Sequence, residues 1–280
     1  MFKLRLITML VLIPIMILAV LWLPVVWFGL LTLIIGLGAA KEWFALVSDD
    51  VSFQRVWLGI CLAFMIIFFF MPTLLALSLG TVGWLLAFSS VFWFKGGPSR
   101  WISFLRVRAG LGALLISTAW VSVVYVRAEV DSWAVLLCFL IVWSADIGAY
   151  LVGKTIGKHK LAPRVSPAKT WEGLVGGLLF GFCIAYLGLY SLAIWKESPL
   201  WVGAVIGQPS KLWGWFWLVF VSIIFSVLGD LFESVLKRIK GVKDSGNLIP
   251  GHGGLLDRID SLLAAFLVYA LGFWLLDIVK

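Results

Sequence analysis

The sequence predicts an all-α, polytopic integral membrane protein of about nine transmembrane helices with a cytoplasmic N-terminus, and three observations lead there. The 280 residues are 62% hydrophobic and only 13% charged, with a mean hydropathy of +1.09, whereas soluble domains carry roughly 25% charged residues. Apolar runs repeatedly reach the roughly 20 residues that a helix needs to cross about 30 Å of hydrocarbon, which indicates helices rather than barrel strands. With the N-terminus inside, eighteen of the 22 Lys and Arg fall in cytoplasmic segments. Only Arg127, Lys196, Lys211 and Lys280 lie outside, the asymmetry expected of an inserted protein.

The spans are expected at 4–22, 24–40, 56–72, 74–94, 107–126, 130–152, 172–192, 212–234 and 259–279. Met1-Phe2-Lys3-Leu4-Arg5 resembles a signal-peptide start, but no small-residue cleavage site precedes the next apolar run, so the first span is expected to be retained. One membrane domain, 1–280, is expected, with N-terminal helices over 1–126 and a catalytic half over 127–280 that carries cytoplasmic loops 153–171 and 235–258. Trp22, Trp43, Trp57, Trp101, Trp133 and Trp213 sit near span ends, where an amphipathic ring suits the interface. Cys61, Cys138 and Cys183 stand singly in apolar runs, without metal or disulfide spacing, and are expected to be small buried hydrophobes. Nucleic-acid binding is not expected, because no basic helix or aromatic platform stands in a soluble domain able to present one. The cations of 41–55 and 95–108 are mostly topology signals.

Two cytoplasmic regions carry unusual chemistry. In the first, Asp146 lies inside an apolar span, where a carboxylate costs roughly 2.5–3.5 kcal/mol and normally faces a polar cavity with a partner. Beyond it, Ser166-Pro167 and Thr170 offer capping hydroxyls before the seventh span, and Lys169 adds charge to the helix N-terminus, an anion site in outline. Gly173, Gly177 and Gly181, spaced by four, form a helix-packing stripe.

The second region is denser. On a continuing helix Asp230, Glu233, Ser234, Lys237 and Arg238 share one face. Asp257 and Asp260 lie one turn apart at the start of the last span, so a hairpin between the last two spans brings four carboxylates together. Clustered carboxylates repel, and a hard cation relieves them; oxygen ligands with phosphate substrates favour Mg²⁺. Between the acids, Gly246, Gly251, Gly253 and Gly254 let backbone amides approach an anion, and Lys243, His252 and Arg258 add charge. Metal-assisted phosphate chemistry is the reading of these residues alone.

From Ser234 to Asp260 the sequence resembles the signature of phosphatidate cytidylyltransferases: Ser-x-apolar-Lys-Arg, four residues, Lys-Asp-x-Gly, then Pro-x-His-Gly-Gly-apolar-x-Asp-Arg-apolar-Asp. Asp146-x-Gly-Ala-Tyr, Gly157-Lys158-His159-Lys160-Leu-Ala-Pro and Ser166-Pro-x-Lys-Thr-Trp-Glu look like those of the bacterial enzymes. The resemblance implies that CTP and phosphatidate give CDP-diacylglycerol and pyrophosphate, with Mg²⁺, at the cytoplasmic side of the bacterial inner membrane. It further implies Asp230 and Asp257 as leading metal ligands, followed by Asp260, Glu233 and Asp146, with acids enough for a second cation. Lys237, Arg238, Lys243 and Arg258 are assigned to phosphates of CTP and lipid, and Lys169 with Ser166 to a phosphate at the seventh span. Ser234, Asn247, His252, Gly253 and Gly254 are expected on substrate, membrane lipid is the surrounding partner, and family analogy implies a homodimer. Two rival readings are a CTP-dependent lipid kinase, which needs a general base for a hydroxyl, and an ion-coupled secondary transporter.

Overall fold

Prolines and capping side chains divide the chain into helices in an order that follows the apolar runs. The computed structural model describes residues 2–94, 102–195, 198–249, 251 and 253–277, with side chains from residue 10 onward. The helices are α1 Phe2–Trp22, α2 Val25–Val47, α3 Val51–Phe70, α4 Thr73–Phe92, α5 Leu105–Tyr125, α6 Ser132–Ile156, α7 Trp171–Ala193, the short α8 Leu200–Ile206, α9 Pro209–Lys240 and α10 Leu256–Leu275. Eight of the elements after α1 are long and apolar enough to cross a membrane, and in α1 the stretch Leu10–Trp22 is apolar as well. Pro24, Pro72 and Pro199 precede helices α2, α4 and α8, each at a position where the missing N–H is not needed. Asp50 and Asp131 cap α3 and α6 by accepting from the amides of Ser52 and Trp133, at 2.8 and 2.9 Å.

Several expected boundaries shift. The second span continues to Val47, so Lys41 and Glu42 lie on a helix and not in a loop, and Glu42 is buried. Trp43, expected at the interface, is a core residue whose indole donates to the Arg108 carbonyl at 3.1 Å. Arg108 itself is buried rather than a surface topology charge. Cys183, expected to be buried, is exposed on the outer face of α7, while Cys61 and Cys138 are interior.

The one sheet among the described residues is a small hairpin, β1 Lys160–Ala162 against β2 Ser166–Thr170, with Lys160 opposite Thr170. Ser166 and Pro167 therefore form strand and not the expected helix cap; Thr170 alone caps α7, its hydroxyl accepting from the Gly173 amide at 3.1 Å. Pro167 biases Ser166 toward extended backbone, Thr170 has strand propensity, and the Glu172 carboxylate closes the hairpin by accepting from the amides of Lys158 and His159.

Contacts between distant segments define one end of the bundle. Glu42 on α2 meets the start of α10, Lys240 at the end of α9 pairs with Asp49 at 2.7 Å, and Arg238 donates to Val165 in the hairpin at 3.2 Å. At the other end Arg127 donates to Val20 and Leu23 and closes the C-terminus of α1. The expected glycine stripe packs α7 on α6: a Cβ on Gly173 or Gly177 would lie 2.8 or 2.9 Å from the carbonyl oxygen of Ala149 or Ala145, a separation only small residues permit. Gly229 does the same for α9 on α10, where a Cβ would meet the Asp260 carbonyl at 2.7 Å. Trp84, Trp215, Tyr269, Phe232, Phe266 and Phe273 fill the centre.

Candidate active site

Helix α9 has 32 residues and at 1.5 Å per residue measures about 48 Å, well beyond the hydrocarbon thickness of about 30 Å. Its last turns, from Asp230 onward, are therefore free to stand at the membrane surface. It ends in a left-handed Gly241 at φ 76°, with Val242 N donating to Lys237 O and Gly241 N to Arg238 O. That stop turns the chain back toward α10.

Three carboxylates meet between these two helices. Asp230, Glu233 and Asp260 each place one oxygen within 4.8 Å of the others. Glu233 is 2% exposed and Asp260 9%, so both are largely shut off from bulk water, and Glu233 Oε1 accepts from no amide, hydroxyl or cation among the described residues, leaving the Asp260 carboxyl as its polar neighbour. A buried carboxylate oxygen without a donor costs free energy that a bound cation would recover. Asp230 is more open: Lys169 Nζ pairs with its Oδ2 at 2.8 Å, and Ser234 Oγ donates to its Oδ1 at 3.4 Å. Lys169 also donates to the Val227 carbonyl at 3.3 Å, which fixes the hairpin over α9. Asp146 on α6 is accessible and within electrostatic range of both Lys169 and Asp230.

Asp257, expected in the carboxylate cluster, stands beside it. Its Oδ1 accepts from Lys237 Nζ at 2.7 Å, and its Oδ2 accepts from the amides of Ser245 and Gly254 at 2.9 and 2.8 Å. Lys237 in turn holds Glu233 Oε2 at 2.5 Å, so this ammonium, expected on phosphate, is spent bridging two acids. Arg238 gives one N–H to Val165 and keeps its guanidinium at the surface. The side chains of Lys243, Asn247 and Arg258 are exposed, and among the described residues none has a side-chain hydrogen bond or ion pair. Ser166 begins β2 next to Val165, close to Arg238, whereas His252 lies outside the described residues.

The glycines of the 241–255 loop divide by function. Gly253 has φ 87°, a backbone state that side chains disfavour, and it turns the chain into α10. Gly254 and Gly246 instead leave room for Glu42: a Cβ on Gly246 would lie 2.6 Å from Glu42 Oε1, and one on Gly254 would collide with Ser245 Oγ and Glu42 Oε2. Glu42 is the residue that sequence reasoning missed. Its carboxylate accepts from Leu255 N at 3.0 Å, Leu256 N at 2.8 Å and Ser245 Oγ at 3.0 Å. The available signal was a Lys41-Glu42 pair set between apolar residues, Ala39-Ala40 before it and Trp43-Phe44 after it.

A multi-pass helical membrane protein with one acid-and-lysine site gathered at a single end of its bundle is the class that these features define. The sequence profile of the Cytidylyltransferase family matches residues 3–276, and the chain belongs to that family. Among curated relatives it is 40% identical to a phosphatidate cytidylyltransferase of Pseudomonas aeruginosa over 98% of this chain and 97% of that one. It is 34% identical to the phosphatidate cytidylyltransferase of Brucella suis biovar 1, over 90% of this chain and 86% of the other. With the enzyme of that name from Haemophilus influenzae it shares 48% identity over 46% of this chain and 42% of that one.

Proposed function

We propose that this protein transfers the cytidylyl group of CTP to phosphatidate, giving CDP-diacylglycerol and pyrophosphate, and that the acid-and-lysine site at the end of α9 performs the transfer. The observation that carries the assignment of the site is the convergence of Asp230, Glu233 and Asp260, with no cation or N–H donor on the buried Glu233 Oε1 among the described residues. The donor set suits Mg²⁺: all ligands are carboxylate oxygens. Four carboxylates of α9 and α10, Asp230, Glu233, Asp257 and Asp260, face the two ammonium groups of Lys169 and Lys237. With all four carboxylates ionised around a bound metal, the two negative charges left over would match one divalent cation. A second cation would draw on Asp146 as well.

Phosphatidate brings its own anionic nucleophile, so no general base is needed. A phosphate oxygen of the lipid attacks the α-phosphorus of CTP; the new P–O bond forms as the bond to the β-phosphate oxygen breaks, and the electron pair leaves with pyrophosphate. Bound Mg²⁺ supplies neutralisation of the negative charge on the phosphate oxygens. Asp230, Glu233 and Asp260 would hold it. Lys237 keeps Glu233 and Asp257 in register, and Lys169 orients Asp230 from the hairpin. The exposed Arg238, Lys243 and Arg258 serve the phosphates of the two substrates, which must be brought together against their own repulsion. Ser234, Asn247 and Gly253 serve the substrates at the same end of the bundle. An apolar groove of about 630 Å³, lined by residues including Val91, Leu161, Trp171, Val227 and Leu231, includes the residue whose carbonyl Lys169 holds and suits the acyl tails. The positive-inside asymmetry of the sequence supports a cytoplasmic location for this end of the bundle, where CTP is available.

The test is purified protein in detergent with phosphatidate and α-labelled CTP, scoring lipid-linked CMP and free pyrophosphate together, with and without Mg²⁺. Both products, with Mg²⁺ required, are expected. CDP with a newly phosphorylated lipid would replace this reading by a lipid kinase, and no CTP turnover would reopen the transporter.

A further inference from the structure

The loop between α9 and α10 is tied to a residue more than 200 positions earlier in the chain. Glu42 sits on α2 with 6% exposure, and among the described residues no Lys or Arg pairs with it. Its charge is met by the N-terminus of α10, whose Leu255 and Leu256 amides it accepts, together with the Ser245 hydroxyl. Ser245 Oγ accepts from the Asp257 amide at 3.3 Å, and Ser245 N donates to the Asp257 carboxylate at 2.9 Å. Asp257 then holds Lys237, and Lys237 holds Glu233. The bonds run without a gap from α2 to the carboxylate cluster, and Gly246 and Gly254 are small where Glu42 needs the space.

We infer that Glu42 is a positioning residue for the transfer reaction, setting Asp257 and thereby the Lys237–Glu233 pair; the inference rests on reading that site as the seat of cytidylyl transfer. A carboxylate is required because all of its partners are donors. Glutamine has the same length but would aim an N–H at one of them.

The experiment compares wild type, Glu42→Gln, Ser245→Ala and the double variant of the full-length protein in detergent. It measures kcat, KM for CTP, elution and helical circular dichroism, and hydrogen exchange of peptides covering 242–258. Glu42→Gln is expected to stay folded and monodisperse. Its kcat and kcat/KM are expected to fall together by on the order of 10²-fold with KM for CTP unchanged, the signature of lost alignment. Exchange across 242–258 rises, and the double variant falls no further than Glu42→Gln alone, because both changes cut one path. Ser245→Ala removes one link and leaves Glu42 in place, so it carries the test if Glu42→Gln does not fold. A wild-type kcat in both single variants, a loss that only tracks the unfolded fraction, or additive effects in the double variant overturns the inference. A wild type that makes no CDP-diacylglycerol overturns the functional reading beneath it.

Discussion

Replacing Lys237 by methionine keeps the apolar stem of the side chain and removes the one ammonium that touches both Glu233 and Asp257. Those side chains are 2% and 6% exposed, and that of Lys237 is 13% exposed, so the pairing is a buried one. Removing one partner of a buried ion pair costs about 3–5 kcal/mol, because the remaining charge is left without water or a counterion. Here two carboxylates lose their common counterion. Lys237→Met should therefore melt well below wild type in detergent, followed by loss of the monodisperse elution peak on heating. Its kcat should drop by on the order of 10²-fold as the two acids move apart by about an ångström. Adding Glu233→Gln to the variant removes one stranded charge and should recover part of the lost stability, though not the activity. A Lys237→Met protein with the melting temperature and kcat of wild type would refute the account of this cluster. So would a double variant that melts below the single one.

Asp257→Asn is expected to abolish turnover in the CTP assay, because an amide nitrogen must face either Lys237 or the Ser245 and Gly254 amides, and every one of those partners is a donor. Gly254→Ala forces a methyl group against Glu42 and Ser245; a cost of about 1–3 kcal/mol in thermal stability is expected, with activity lost as α10 is displaced. Gly188→Leu, which meets Leu137 on the α6–α7 seam well along α6 from Asp146, should lower stability and expression while any folded fraction keeps its KM for CTP, which titration of active enzyme would reveal. Stripping divalent cations with a chelator should stop turnover, and restoring Mg²⁺ should both restart it and raise the melting temperature in proportion to the logarithm of its concentration once the site is saturated.

The spans were legible because hydrocarbon imposes a one-dimensional rule. A helix that leaves no backbone group unpaired must supply about 20 apolar residues in a row, and nothing distant alters that requirement. Asp230, Glu233 and Asp260 were legible for a related reason: acids one turn apart on a helix share a face whatever surrounds them. Partners were another matter. Asp257 and Lys237 could be placed near the cluster from spacing, but which oxygen meets which donor depends on how α9 and α10 approach at Gly229. The hairpin at 160–170 escaped notice because its two strands have three and five residues, too few to establish an alternating pattern. Glu42 escaped because its partners are 203 to 214 positions away, and a single acidic residue at a helix end looks the same whether it faces water or caps another helix. The sequence by itself determined a membrane-spanning helical bundle and the acids and cations at one end of it, since insertion and helical periodicity are local properties of a chain in lipid. Only the tertiary structure decided that an N-terminal helix anchors the loop of the site, because the free energy of a buried carboxylate is set by donors that folding alone brings to it.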